Sequence, residues 1–163
     1  MHIILKNKFL IYNDYKLKCA IGKRGIKHKK KEGDKSTPKG LFKLKYVLYR
    51  KDKVKKPKTA LKTKILKKNM GWCDDIRSKD YNKLIRFPFP WRAEKLYRSD
   101  NTYNIVVVLD YNMKPIVKGK GSAVFIHLSK NNYSPTLGCI SLNLKDLYLL
   151  LRLVKKRVYL KIN

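Results

Sequence analysis

The sequence predicts a mainly β chain of β-rich sheets, with one α-helix near the C-terminal end and a short irregular insertion. Three observations predict it. Apolar residues alternate with lysines at period two in several short stretches of the first third, the pattern of half-buried strands. Gly, Pro and Asn punctuate the chain at short intervals, marking turns between short elements. One stretch near the end switches to helical spacing.

Taken in order, Ile3–Leu5 and Phe9–Tyr12 read as a hairpin turning at Lys6, Asn7 and Lys8. Tyr15, Leu17, Cys19 and Ile21 alternate with Lys16, Lys18 and Ala20, a strand with one apolar face. A loop from Gly22 to Gly40 follows, in which Glu32-Gly-Asp34 and Thr37-Pro-Lys-Gly40 read as turns. Glu32 and Asp34 are accordingly turn residues, not an acid–base pair. Phe42, Leu44, Tyr46 and Leu48 repeat the strand pattern. Residues 51–68 read as a Lys-rich connection, and 71–100, with Phe87-Pro-Phe-Pro90, as the irregular insertion.

Tyr103–Leu109 is a β-branched run, and Ser122–Ser129 a further strand placing Ala123, Phe125 and His127 on one face. Asn143 followed by Asp146 reads as an N-cap. Leu147, Leu150, Leu151 and Val154 then form a helical stripe, and Arg157–Ile162 ends as a strand. Neither a repeat nor a linker interrupts the 163 residues, which predicts a single domain over 1–163 with room for a real core.

Charge is the outstanding compositional feature: 41 Lys and Arg against 11 Asp and Glu, a net charge of +30. Such a field gathers anions of any kind. A chain rich in Lys, Asn, Ile and Tyr also follows from AT-rich codons, so the charge implies loose anion affinity and no specific nucleic acid. An aromatic RNA-binding motif, a recognition helix and zinc-finger spacing are all missing from the sequence. A basic nucleic-acid-binding domain without catalysis is nevertheless the rival that composition alone would favour. The sequence contains no run of about 18 apolar residues, so no transmembrane segment is expected, and Met1–Leu10 does not read as a signal peptide.

The three cysteines, Cys19, Cys73 and Cys139, include no CxxC pair, which argues against a disulfide framework or a zinc site. No metal and no cofactor are expected. Cys139 has a different context. It follows Thr136-Leu137-Gly138 and lies twelve residues beyond His127, with Pro135 in the loop between them. Adjacent strands can bring such a pair together. A thiol ionises near pH 8.5 and needs a base to attack at neutral pH, and imidazole can take the proton and later deliver it to a leaving amine. Gly138 allows close backbone approach, and N–H groups around Gly138 and Cys139 can hold an oxyanion.

These residues resemble the L,D-transpeptidase (YkuD-type) catalytic domain, whose signature is a strand His followed by Ser/Thr-x-Gly-Cys and an apolar residue. Here it is His127 and Thr136-Leu-Gly-Cys-Ile140. Lys31–Leu41, Met70–Asp75, Tyr81-Asn82, Glu94 and Tyr103–Asn112 are similar to a proteobacterial branch of the family. The resemblance implies a mixed β fold and acyl transfer on peptidoglycan stem peptides, donor and acceptor. Cys139 would form a thioester, with His127 as base and acid, oriented by a backbone carbonyl, and with Gly138 at the same centre. Thr136, Trp72, Asp74, Tyr81, Glu94 and Arg98 are the candidates for substrate binding, Glu94 and Arg98 also being spaced as a helical ion pair. The resemblance further implies acylation by carbapenem-type inhibitors, a role in cell-wall biogenesis and cell shape, and work in the periplasm or cell wall. Hydrolysis of the same peptides, as by an L,D-carboxypeptidase, shares the first half-reaction. The chain departs from the family's commonest motif at Leu137, where a His is usual, and at Ser141, where an Arg is usual.

Overall fold

A computed structural model of the chain describes residues 1–29 and 31–163. In chain order the strands are β1 (Ile3–Lys6), β2 (Phe9–Tyr12), β3 (Tyr15–Lys18), β4 (Ile26–Lys27), β5 (Thr37–Pro38), β6 (Gly40–Tyr49), β7 (Lys62–Ile65), β8 (Met70–Cys73), β9 (Leu84–Arg86), β10 (Ala93–Lys95), β11 (Ile105–Leu109), β12 (Phe125–Leu128) and β13 (Ile140–Leu142). Helix α1 (Leu144–Leu153) and strand β14 (Tyr159–Ile162) complete the chain. The expected class holds: mostly β, mixed parallel and antiparallel, with one α-helix among the described residues.

The main sheet runs β13-β12-β11-β6-β14-β1-β2-β3, with β7 also paired to β6. Its long member, β6, changes partners along its length, meeting β14 over Gly40–Lys43 and β11 over Leu44–Tyr49. The expected hairpin β1–β2 forms, with Asn7 and Lys8 both at positive φ (49° and 60°), the conformation that suits the twist of a two-residue hairpin loop. Asn143 caps α1 as expected, its side chain accepting from the Asp146 N–H at 2.8 Å.

Two connections hold more structure than the sequence indicated. The Lys-rich stretch contains β7, parallel to β6; its side chains are mostly exposed, so it carries no apolar period to read. The supposed irregular insertion is a separate three-stranded sheet, β10-β8-β9. Its strands are three or four residues long, too short to display an alternation. The expected strand at 122 begins only at Phe125, because Ala123 takes a positive φ of 53°, which is rare for a residue with a Cβ.

Period-two alternation divides the core between the faces of the main sheet. Ile105, Val107, Ile126 and Ile140 pack with Leu147, Leu150 and Leu151 of the helix. Val106, Val108 and Phe125 point the other way, to Met70, Trp72, Leu96 and Tyr103 of and around the small sheet.

Candidate active site

Cys139 and His127 reach the second of these faces from adjacent parallel strands. Ile126 pairs with Ile140 and His127 with Ser141; one residue earlier in that register, Cys139 stands beside Phe125. The sulfur confirms this position, accepting from the Phe125 N–H at 3.4 Å. His127 is therefore the same-face neighbour one strand step on, about 6.6 Å along the strand at ~3.3 Å per residue. The two side chains share a face because positions 125 and 127 are two apart, with only Ile126 between them.

His127 is buried, and its Nδ1 lies 2.9 Å from the Leu128 carbonyl oxygen. A carbonyl only accepts, so Nδ1 carries the proton and Nε2 keeps its lone pair. Burial pushes the imidazole down to about 4, so the ring is neutral through the physiological range. Burial likewise pushes the Cys139 thiol up to about 12. The resting pair is thus thiol and neutral imidazole rather than an ion pair. Among the described residues the thiol donates to the Ala123 carbonyl at 3.2 Å, and the His127 ring is not one of its partners. Ala123, which offers that carbonyl, has a positive φ of 53°.

The turn before Cys139 is tightly tied. Thr136 Oγ1 donates to the Cys139 carbonyl at 2.6 Å and accepts from the Gly138 N–H at 3.1 Å. Thr136 is accordingly a brace for the turn. The Gly138 N–H, expected to be open to an oxyanion, is already engaged. Position 138 itself requires glycine. Its φ is 137°, and a Cβ there would lie 2.8 Å from the Ser36 carbonyl oxygen.

Below this pair lies a stack of edge-to-face rings. Tyr103 meets His127 at 5.3 Å between centroids and Phe125 at 6.0 Å, and Phe125 meets Trp72 at 5.0 Å. Offset or T-shaped contacts are the preferred aromatic geometry. The Tyr103 hydroxyl donates to Glu94 Oε1 at 2.5 Å. Burial raises the Glu94 carboxyl above its usual range, partly offset by that bond and by Arg98.

The six substrate-binding candidates divide. Glu94 is half-buried and joined to the His127 neighbourhood through Tyr103. The helical pairing of Glu94 with Arg98 is corrected: Glu94 lies on β10, Arg98 lies outside any helix, and they stand 4.0 Å apart. Arg98 instead binds Asp100 at 2.5 Å and lies over the Tyr103 ring at 5.3 Å. Trp72 and Tyr81, at 2% and 1% exposure, present no surface to a groove. Trp72 donates to Asn82 at 3.0 Å; the Tyr81 hydroxyl donates to Glu32 and accepts from the Gly121 N–H at 2.9 Å. Asp74 is nearer the surface, bonded to Arg92 at 3.1 Å.

Sequence reasoning missed Asn82 as a structural hub. Its amide accepts from Trp72 and Ala123 and donates to the Tyr111 and Asn112 carbonyls, all at 3.0 to 3.1 Å. It thereby joins the small sheet to the Ala123 carbonyl segment. A lone Asn beside a Tyr gives no sequence signal for that role. Leu137, at the motif's variable position, is 76% exposed, whereas Ser141 is buried. No group of His, Cys, Asp and Glu among the described residues is arranged to hold a metal.

A strand His and a Thr-x-Gly-Cys turn thus share one face of a mixed β sheet. The family model of YkuD, the L,D-transpeptidase catalytic domain, matches residues 3–160, and the chain belongs to that family. Among curated proteins, none matches. The family acts as L,D-transpeptidase on peptidoglycan, in the periplasm or cell wall. Among the described residues no helix is long and apolar enough to cross a membrane.

Proposed function

We propose that the protein is an L,D-transpeptidase working through a Cys139 thioester, with His127 as the general base and acid. The observation that carries this reading is the shared face of β12 and the Gly138–Cys139 turn, with Nδ1 of His127 fixed on Leu128 O so that Nε2 is the free base. Substrate binding brings the thiol, now held by the Ala123 carbonyl, to Nε2. The proton passes to Nε2 as sulfur forms its bond to the donor carbonyl carbon at diaminopimelate. The tetrahedral intermediate then expels the D-alanine amine, which takes the proton from the imidazolium, leaving a thioester. An acceptor amine attacks that thioester, His127 takes its proton, and the released thiolate is reprotonated. Water in place of the amine gives hydrolysis of the same peptide.

Burial weakens the ring as a base and the thiol as an acid, so both shifts oppose the transfer in the free site, and the proton moves only as the bond to the donor carbonyl forms. Gly138 is the close-approach point for the donor carbonyl. Thr136 keeps the turn closed, and Glu94 with Tyr103 buttresses the imidazole.

The test is intact-mass measurement after mixing with a carbapenem, whose ring opens on a nucleophilic cysteine. One adduct is expected on wild type, mapping to Cys139, absent in Cys139→Ser and slowed at least about a hundredfold in His127→Ala. An adduct mapping to Cys19 or Cys73, both buried, would refute the assignment. Incubation with purified muropeptides then separates cross-linked dimers from trimmed monomers, the signature of hydrolysis.

A further inference from the structure

We propose that the loop between Gly22 and Gly40 carries a second binding site, for the free carboxylates of the stem peptide, adjoining the Cys139 turn. The proposal rests on the reading of the protein as an enzyme of stem peptides and adds where such a peptide is held. The site is an open pocket of about 600 Å³ at the β4–β5 ladder. Arg24, Lys27, Lys31 and Lys39 line it, with His28. None of these four cations is in an ion pair among the described residues; the ion-paired bases are Lys29, Lys83 and four arginines elsewhere.

One carboxylate, Asp34, is also on the wall, and it is already committed. It accepts from Lys29 Nζ at 2.6 Å, from the Ser36 hydroxyl at 2.7 Å and from the Ser36 N–H at 3.0 Å. The pocket is therefore lined by four cationic residues, and the one carboxylate among its lining residues is compensated. That suits the planar carboxylates of a peptide, which arginine can grip with two parallel bonds and lysine can meet as a point charge.

Its position supplies the rest. Ser36 lines the pocket, and its carbonyl packs against Gly138. Thr37 Oγ1 donates to the Gly138 carbonyl at 3.0 Å. Lys29, which holds Asp34, puts Nζ 3.8 Å from where a Gly138 Cβ would stand. The pocket wall and the turn that presents Cys139 are thus packed and hydrogen-bonded together, from segments about a hundred residues apart in the chain. A peptide anchored in the pocket by its carboxylates lies next to the segment that braces Gly138, the residue before Cys139.

With a net charge of +30, the general field could produce anion binding anywhere, and the molecule supplies its own control. A second cationic pocket, of about 460 Å³ and lined by Lys51, Lys53, Lys55 and Lys56, lies on the β6–β7 connection. It shares none of the residues that brace Gly138.

The experiment titrates an acidic stem tetrapeptide into full-length Cys139→Ala protein, which cannot be acylated. The same titration is made with the tetrapeptide's carboxylates amidated and with an oligonucleotide of matched charge. Lys27→Gln/Lys39→Gln is compared with Lys51→Gln/Lys56→Gln. Expected is a loss of tetrapeptide affinity of about tenfold in the first pair and under about twofold in the second, with the amidated peptide binding weakly throughout. Equal losses in both pairs, undiminished binding of the amidated peptide, or an oligonucleotide preferred at the 27/39 pocket would each overturn the proposal. Because the protein titrated is unreactive, failure of this binding site and failure of the Cys139 thioester are read separately.

Discussion

The two faces of the main sheet are built from the same strands and differ completely in chemistry. On the helix side, Val107, Ile126 and Ile140 meet Leu147, Leu150 and Leu151, and every side chain in that contact is hydrocarbon. On the small-sheet side, one residue along each strand, Val106, Phe125 and Cys139 meet Trp72, Tyr103 and, through them, Glu94 and His127. The first face can be read as hydrophobic burial, at about 25 cal/mol per Å². The second buries titratable groups, each neutralised or bonded. The difference shows how a sheet separates stability from chemistry: alternate residues serve alternate purposes at no cost in backbone geometry.

The sharpest way to break that separation is one substitution on each side. Leu150→Ala should lower stability by about 2–5 kcal/mol in denaturant melts while leaving the carbapenem acylation rate of the folded protein within about twofold. Phe125→Leu, a milder change in volume that leaves the backbone N–H on the sulfur in place, should slow acylation about tenfold, since the Phe125 ring packs edge-on against both Trp72 and Tyr103, and Tyr103 meets His127. If Leu150→Ala slowed acylation as much as Phe125→Leu, the two faces would be mechanically coupled.

Next in size is a pH effect confined to the site face. His127 is held near 4 against 6.5 when unfolded. The unfolded chain therefore binds a proton that the native one refuses, and stability falls as pH drops from 6.5 toward 4. The full loss is about 3 kcal/mol at 1.36 kcal/mol per pH unit. Cys139 acts at the other end: its thiol is raised from 9.0 to about 12, so stability falls as pH rises through that window. Melts of His127→Gln should lack the acid slope, and those of Cys139→Ser should show a shallower alkaline one, the remainder belonging to the buried Cys19 thiol and to Tyr81, Tyr103 and Tyr111, which burial raises likewise. An acid slope undiminished in His127→Gln would assign it to the carboxylates instead.

The smallest expected effect lies at the start of the helix. Asn143→Ala removes the cap on the Asp146 N–H and should cost about 1 kcal/mol, with acylation unchanged. A measurable loss of acylation there would mean that α1 sets the position of the neighbouring β13.

Much of this was legible in the sequence, for identifiable reasons. The hairpin, the capped helix and β6 all have strong periodic patterns or local hydrogen-bonding signals, and all appear where expected. The small sheet escaped because its strands are only three or four residues long, and β7 because its side chains are mostly exposed. The Cys139–His127 pair was legible as a spacing and a motif. The groups that tune it were not, because Tyr103, Asn82 and Lys29 come from distant points in the chain.

By itself the sequence determined the β class, the helix and the His and Thr-x-Gly-Cys motif on which the proposed acyl transfer rests, since these follow from local period and side-chain chemistry. Tertiary structure alone decided that the thiol rests on Ala123 O and that the imidazole is neutral. It alone also set a cationic pocket against the same turn. Burial, strand register and backbone contacts between distant segments govern those outcomes, and none is encoded in neighbouring residues.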